Sequence, residues 1–182
     1  LKDAVANNQK EIVLPPTADP EGGEASIELT ETLTVNAEIT IKSENPDVPA
    51  VITVPEGTSA FTTGEGGKLT LDNVVIKTTE SESGNTAPVI KVVEGTEATL
   101  QNSTLEVPAN VTAIEAKGNM TISDVKLTVD TKTEGDAPVI NVAEGGDVTI
   151  DNAAITNGTI EVTGTLTIEP AEKKEVVFTQ TS

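Results

Sequence analysis

Two acidic stretches hold the residues best suited to chemistry: "TTESESGN", with Glu80 and Glu82, and "DTKTEGD", with Asp130, Glu134 and Asp136. Clusters that offer only oxygen ligands suit Ca²⁺. If the chain repeats, the loops at 80–87 and 130–136 occupy equivalent places and could approach a common cation. Their spacing follows no calcium-loop signature, and acidic loops are commonly just solvated, so no metal ligand is assigned. For proton transfer the chain offers only lysines, since it contains neither His nor Arg. Lys77, Lys91, Lys117, Lys126 and Lys132 lie in or beside alternating segments, and no pattern sets one beside an acidic pair. They read as solubilising charge on an outer face. With no His, no Cys and no GxxxxGK, zinc sites, nucleophilic triads and phosphate-cradling loops are also missing. No catalytic, cofactor-binding or metal-binding residue is assigned, and no cofactor is expected.

The charge balance narrows the partners. Thirty Asp and Glu against eleven Lys give a formal charge of −19. Nucleic-acid binding depends on clustered basic residues, so nucleic acid is excluded as a partner. An anionic membrane surface is disfavoured for the same reason, and no apolar run reaches the ~20 residues of a membrane span. The absence of Cys rules out a disulfide framework. The chain opens at Leu1 without a signal peptide, which fits an excised or mature fragment, or a cytosolic protein. The sequons "NST", "NVT", "NMT" and "NGT" are expected by chance in a chain this rich in Asn and Thr.

These side chains need a scaffold, and the repeats indicate its kind. An apolar–Thr–apolar triplet recurs as "ITI" (39–41), "LTL" (69–71), "ATL" (98–100), "MTI" (120–122), "VTI" (148–150) and "LTI" (166–168). A second set reads "VITVPEG" (51–57), "VIKVVEG" (89–95), "TAIEAKG" (112–118), "VINVAEG" (139–145) and "GTIEVTG" (158–164). The central Thr residues lie 30, 29, 22, 28 and 18 apart. The Ile of the second set precedes the next Thr by nine or seven residues, except after Ile52, where "TSAFTTGEGG" reads as an insertion. Constant strands with variable connections describe a solenoid whose coils stack while one side accepts insertions.

Period two puts Leu69 and Leu71 inward and Thr70 and Asp72 outward. Asn73 then falls at a sharp corner that needs the left-handed conformation, which Asn and Asp tolerate. Stacking places Ser43, Asn73, Asn102, Asp124 and Asn152 in one column. Asn102 is expected to be buried there, with its amide bonded to backbone or to Asn73 and Asp124. Ile52, Ile90, Ile114, Ile140 and Ile160 are expected to stack inward. With Phe61 and Phe178 the only aromatic residues, the core must be filled by small branched side chains.

The triplets with a following corner Asn, an opening helix (Leu1, Ala4 and Val5 on one face, ended by Asn7 and Asn8) and variable loops resemble the right-handed parallel β-helix of the pectate-lyase type. The resemblance implies one all-β domain over 1–182. Residues 1–14 would form a cap helix and first strand, 26–169 the stacked coils, and 170–182 a C-terminal strand or cap. Proteins of this fold include polysaccharide lyases and hydrolases, phage tailspikes and non-enzymatic bacterial surface domains. The acidic, Thr/Val/Glu-rich composition is most similar to the last group. The resemblance therefore implies a non-catalytic, extracellular or cell-surface module, a rigid scaffold or an adhesin-type domain that binds host or cell-surface protein or glycan. The alternatives are a carbohydrate-active enzyme and an engineered solenoid, though uneven coil lengths weigh against a regular design. The outward column Thr40, Thr70, Thr99, Thr121, Thr149 and Thr167 resembles ice-binding faces of some β-solenoids. Those present two Thr per coil, whereas Lys42, Asp72, Gln101, Ser123 and Asp151 flank this column.

Overall fold

The computed structural model describes residues 1–16, 26–55, 57–78, 87–130, 137–170 and 175–179. It is a parallel β-solenoid with three sheets. The first sheet stacks Glu11–Leu14, Glu38–Ser43, Lys68–Asp72, Glu97–Gln101, Asn119–Ser123, Asp147–Ile150 and Thr165–Ile168. The second stacks Ile27–Glu28, Ala50–Val54, Val74–Thr78, Thr104–Val107, Val125–Val129, Ala153–Thr156 and Val176–Thr179. The third stacks Leu33–Val35, Phe61–Thr63, Ile90–Val92, Ile114–Ala116, Ile140–Val142 and Ile160–Val162. Within each sheet every strand pairs in parallel with the strand of the neighbouring coil, so each of six complete coils among the described residues contributes one strand to each sheet, and the seventh contributes to the first two. Seven strands separated by ~4.8 Å make a stack about 29 Å long.

Alternation within each strand fills the interior. Ile41, Leu71, Leu100, Ile122 and Ile150 form one inward ladder, and each is fully or almost fully buried. Ile52, Ile76, Leu105, Leu127 and Ile155 form a second. The third runs Leu33, Phe61, Ile90, Ile114, Ile140 and Ile160. The helix Lys2–Ala6 closes the N-terminal end, with Val5 buried and Leu1 and Ala4 packed on the core. As expected, the helix gives way at Asn7 and Asn8, the latter at φ 53°. Lys2 reaches Glu31 across this end, and hydrogen bonding and charge attraction to that carboxylate raise its pKa above the usual value.

One expectation about the coils needs correcting. The segment 51–57 is not equivalent to 89–95: Ala50–Val54 belongs to the second sheet, while Ile90–Val92 belongs to the third. The apparent insertion after Ile52 supplies the missing third-sheet strand, Phe61–Thr63, which pairs with Ile90–Val92. Ile52 points inward as expected, but it stacks between Ile27 and Ile76 instead of on Ile90.

Glycine marks the corner that leads from the third sheet into the first. A Cβ at Gly67, Gly118 or Gly146 would sit 2.1–2.3 Å from a backbone carbonyl oxygen of the preceding coil, Val35, Val93 or Ala116 respectively. Only a residue without a side chain lets the coils stack this closely. Between two such corners, buried Thr63 and Thr96 join hydroxyl to hydroxyl, with Thr63 accepting from the Val93 amide and Thr96 donating to the Val93 carbonyl.

Candidate functional site

The corner between the first and second sheets carries the polar column foreseen from sequence, with a different internal arrangement. Asn73, Asn102 and Asp124 adopt positive φ of 54°, 50° and 56°. Ser43 and Asn152 do not share this conformation, and Ser43 is a buried strand residue. The expected burial of Asn102 is wrong: it is exposed, and its Nδ2 donates to Asp72 Oδ1 at 2.8 Å, not to Asn73 or Asp124. The left-handed turn swings the side chain outward, and the next residue takes the inward place. Ser103 is therefore the buried polar group, accepting from the Val74 amide at 3.1 Å and donating to the Gln101 carbonyl at 2.6 Å. Asn152 donates to Asp124 Oδ1 at 2.8 Å, and Asn73 to the carbonyls of Asn45 and Pro46. The result is an outer ladder of amides and carboxylates. Two grooves of about 440 and 550 Å³ follow this corner and share Asn102 as a wall.

On the outer face of the first sheet the threonine column is continuous: Thr40, Thr70, Thr99, Thr121, Thr149 and Thr167 are consecutive register partners. The column beside it runs Lys42, Asp72, Gln101 and Ser123, as read from sequence. The other flank runs Glu38, Lys68, Glu97, Asn119, Asp147 and Thr165. Charge on both sides makes this a hydrated stripe, unlike a flat two-threonine face.

Two of the lysines foreseen as outer-face charge, Lys77 and Lys91, are held by carboxylates of the neighbouring coil, and so are Lys68 and Lys42. Lys68 lies 3.2 Å from Glu97, Lys77 3.5 Å from Glu106 and Lys91 3.4 Å from Glu115, each across a directly opposed register position. Lys42 meets Glu11 diagonally at 2.8 Å. These pairs lie at the solvated surface with half-buried to exposed partners, and each contributes at most ~1 kcal/mol, so they favour a register more than they stabilise the fold. The signal was present in the sequence as opposite charges one coil apart, once the coil was known. Lys117 and Lys126 are exposed.

The acidic-loop proposal divides. Glu80, Glu82, Lys132, Glu134 and Asp136 lie outside the described residues. Asp130 lines a groove of about 410 Å³ on the outer face of the second sheet with Thr53, Lys77, Glu106, Val107 and Thr128. Among the described residues, the sheltered Thr128 hydroxyl there has no hydrogen-bond partner. Lys77 supplies donors and Glu106 and Asp130 supply acceptors, a mixed set suited to hydroxyl-rich or zwitterionic molecules. Among the described residues, no three acidic side chains converge as a metal ion would require. No family model, curated protein or solved structure matches the chain.

Proposed function

We propose that the chain is a non-catalytic β-helix module of the pectate-lyase-like kind, working as a rigid spacer in a secreted or cell-surface protein. One observation carries this reading: three in-register parallel ladders run the length of the molecule around a single apolar core. Every coil is tied to its neighbours on three sides, so bending at any point must break hydrogen bonds and open the core. A net charge of −19 keeps such a rod soluble and discourages lateral association. The test is to display the module on a yeast surface with an epitope at its far end, beside a Gly/Ser linker of equal contour length. A bulky antibody should reach the epitope on the module better than on the linker. Equal accessibility overturns the spacer reading. Turnover of pectate, alginate or neutral glycans with millimolar Ca²⁺ overturns the non-catalytic one.

A second reading, an adhesin-type face for glycan, is favoured by the Lys77–Glu106–Asp130 groove and its Thr128 hydroxyl, which has no hydrogen-bond partner among the described residues. Glycan-array binding that is lost in Lys77→Met with the fold intact supports it. No binding on the array leaves the spacer role alone.

A further inference from the structure

The passage from the second sheet to the third is tightest where Ala153–Thr156 leads into Ile160–Val162, with Asn157, Gly158 and Thr159 making the whole turn. The geometry selects the first two of these residues. Asn157 sits at φ 56°, a left-handed conformation that Asn tolerates. A Cβ on Gly158 would lie 2.5 Å from Val139 Cγ1 and 2.7 Å from Ile155 Cγ2, and both of those side chains are buried. The place is cut to glycine. The corner therefore sets Asn directly before Gly, and the chain holds no other such pair.

That pair carries chemistry of its own. The main-chain nitrogen after an asparagine can attack the side-chain amide carbon and close a ring, an intramolecular reaction that depends on holding the two atoms together. A side chain on the following residue crowds the attack, and glycine has none. The main chain on either side of Gly158 is anchored: the Asn157 N–H donates to the Thr179 carbonyl at 2.7 Å, and the Thr159 carbonyl accepts from the Val139 N–H at 2.8 Å. Gly158 itself makes no main-chain hydrogen bond among the described residues, so its nitrogen is available. Asn157 and Gly158 are half-buried and Thr159 is exposed, which admits water. The other left-handed asparagines lack this combination. The N–H after Asn8 is bonded to the Ala4 carbonyl, and the N–H after Asn73 to the Ser103 hydroxyl. The nitrogen after Asn102 belongs to buried Ser103, which carries a side chain.

We infer that Asn157 is a site of spontaneous modification, which converts to isoaspartate and aspartate in the folded protein. The Gly158 nitrogen gives its proton to hydroxide and bonds to Asn157 Cγ. The Cγ–Nδ2 bond breaks, and Nδ2 leaves as ammonia after taking up a proton from water. A second water then opens the cyclic imide at one of its two carbonyls. One opening gives aspartate. The other gives isoaspartate, which routes the main chain through Cβ and Cγ and so adds one carbon to the turn. Both products gain a negative charge and lose the donor that Nδ2 presents to the Val129 carbonyl at 3.2 Å. A turn this short has no slack for a longer main chain, so the isoaspartyl form loosens the coil. The module thus carries a mark of its age at one corner.

The experiment is to age the full folded chain in buffers of increasing pH. Conversion is followed by peptide mapping with mass spectrometry, and by methyl transfer from S-adenosylmethionine with an isoaspartyl methyltransferase. Asn157 should convert in the folded chain, at a rate that rises roughly tenfold per pH unit because the attacking nitrogen must first lose its proton. Asn73 and Asn102 should convert at least ~10-fold more slowly, since their following nitrogens are engaged or crowded. Asn157→Gly keeps the left-handed turn without the amide, and should stay folded and accept no methyl group at this corner. The isoaspartyl product, separated by anion exchange, should show faster amide exchange in Ala153–Thr156 and Ile160–Val162 than the parent. No conversion at Asn157, conversion only after unfolding in urea, or a rate no faster than at Asn102 overturns the inference. An isoaspartyl product whose exchange matches the parent overturns the loosened corner.

Discussion

Replacing Asn102 by Ala and by Gly separates two explanations of the corner. If the amide were the stabilising element, both substitutions would cost the same, because both delete it. The structure assigns the position to backbone conformation: φ is 50°, the side chain is exposed, and its described bond is to another surface group, Asp72. Alanine in the left-handed region costs roughly 1–2 kcal/mol. Losing an exposed hydrogen bond adds only about 0.5 kcal/mol. Glycine relieves the left-handed strain and in exchange loses more unfolded-chain entropy, about 0.5–1 kcal/mol. Asn102→Gly should therefore fall within about 0.5–1 kcal/mol of the parent, and Asn102→Ala about 1.5–2.5 kcal/mol below the parent. For a chain of this size that is a Tm loss of roughly 3–10 °C for Ala. Ser103→Ala is the companion: it strips the acceptor from the buried Val74 amide, at about 1–3 kcal/mol. The assay is reversible thermal or urea unfolding followed by circular dichroism. Equal losses for Gly and Ala at 102, or no loss at Ser103, would refute the reasoning.

Other outcomes follow from the same geometry. Gly146→Ala puts a methyl carbon 2.3 Å from the Ala116 carbonyl oxygen, and because the obstacle is backbone, it should cost about 3 kcal/mol, the upper end of the usual overpacking range, in urea unfolding. Ile114→Ala opens a cavity in the middle of the third ladder and should lower stability by about 2–5 kcal/mol. The raised pKa of Lys2 means that its pairing with Glu31 is fully present below the ordinary lysine pKa and is lost as pH rises through the folded value. Amide exchange of the helix Lys2–Ala6 at high pH, corrected for intrinsic rates, should show the end cap loosening first, and Lys2→Met should remove that pH dependence.

The solenoid was legible because its signals are local and repeated. The apolar–Thr–apolar triplets set the first sheet, and the register pairs Thr40 through Thr167 as their spacing implies. The corner residues Asn73, Asn102 and Asp124 were legible as left-handed turns because Asn and Asp tolerate positive φ, whereas Asn152 stands in the same column without it. Asn102 was misplaced because stacking corner residues in a column does not give the direction of their side chains: the left-handed turn swings the amide outward and gives the inner place to Ser103. The third-sheet strand at Phe61–Thr63 was missed because "FTT" shares no residues with "VIKV" and its sheet is defined only by neighbours.

The most direct measurement of the central claim, a rigid parallel stack, is a distance between spin labels at opposite ends of the threonine column. The chain has no Cys, so single cysteines introduced at Thr40 and Thr167 label uniquely. These positions are five coil spacings apart, about 24 Å along the axis. Pulsed electron–electron double resonance should return one narrow distribution near that value, with Thr70 and Thr149 labels giving about 14 Å by continuous-wave broadening. A broad distribution, or a mean beyond ~40 Å, would contradict a rigid stacked solenoid.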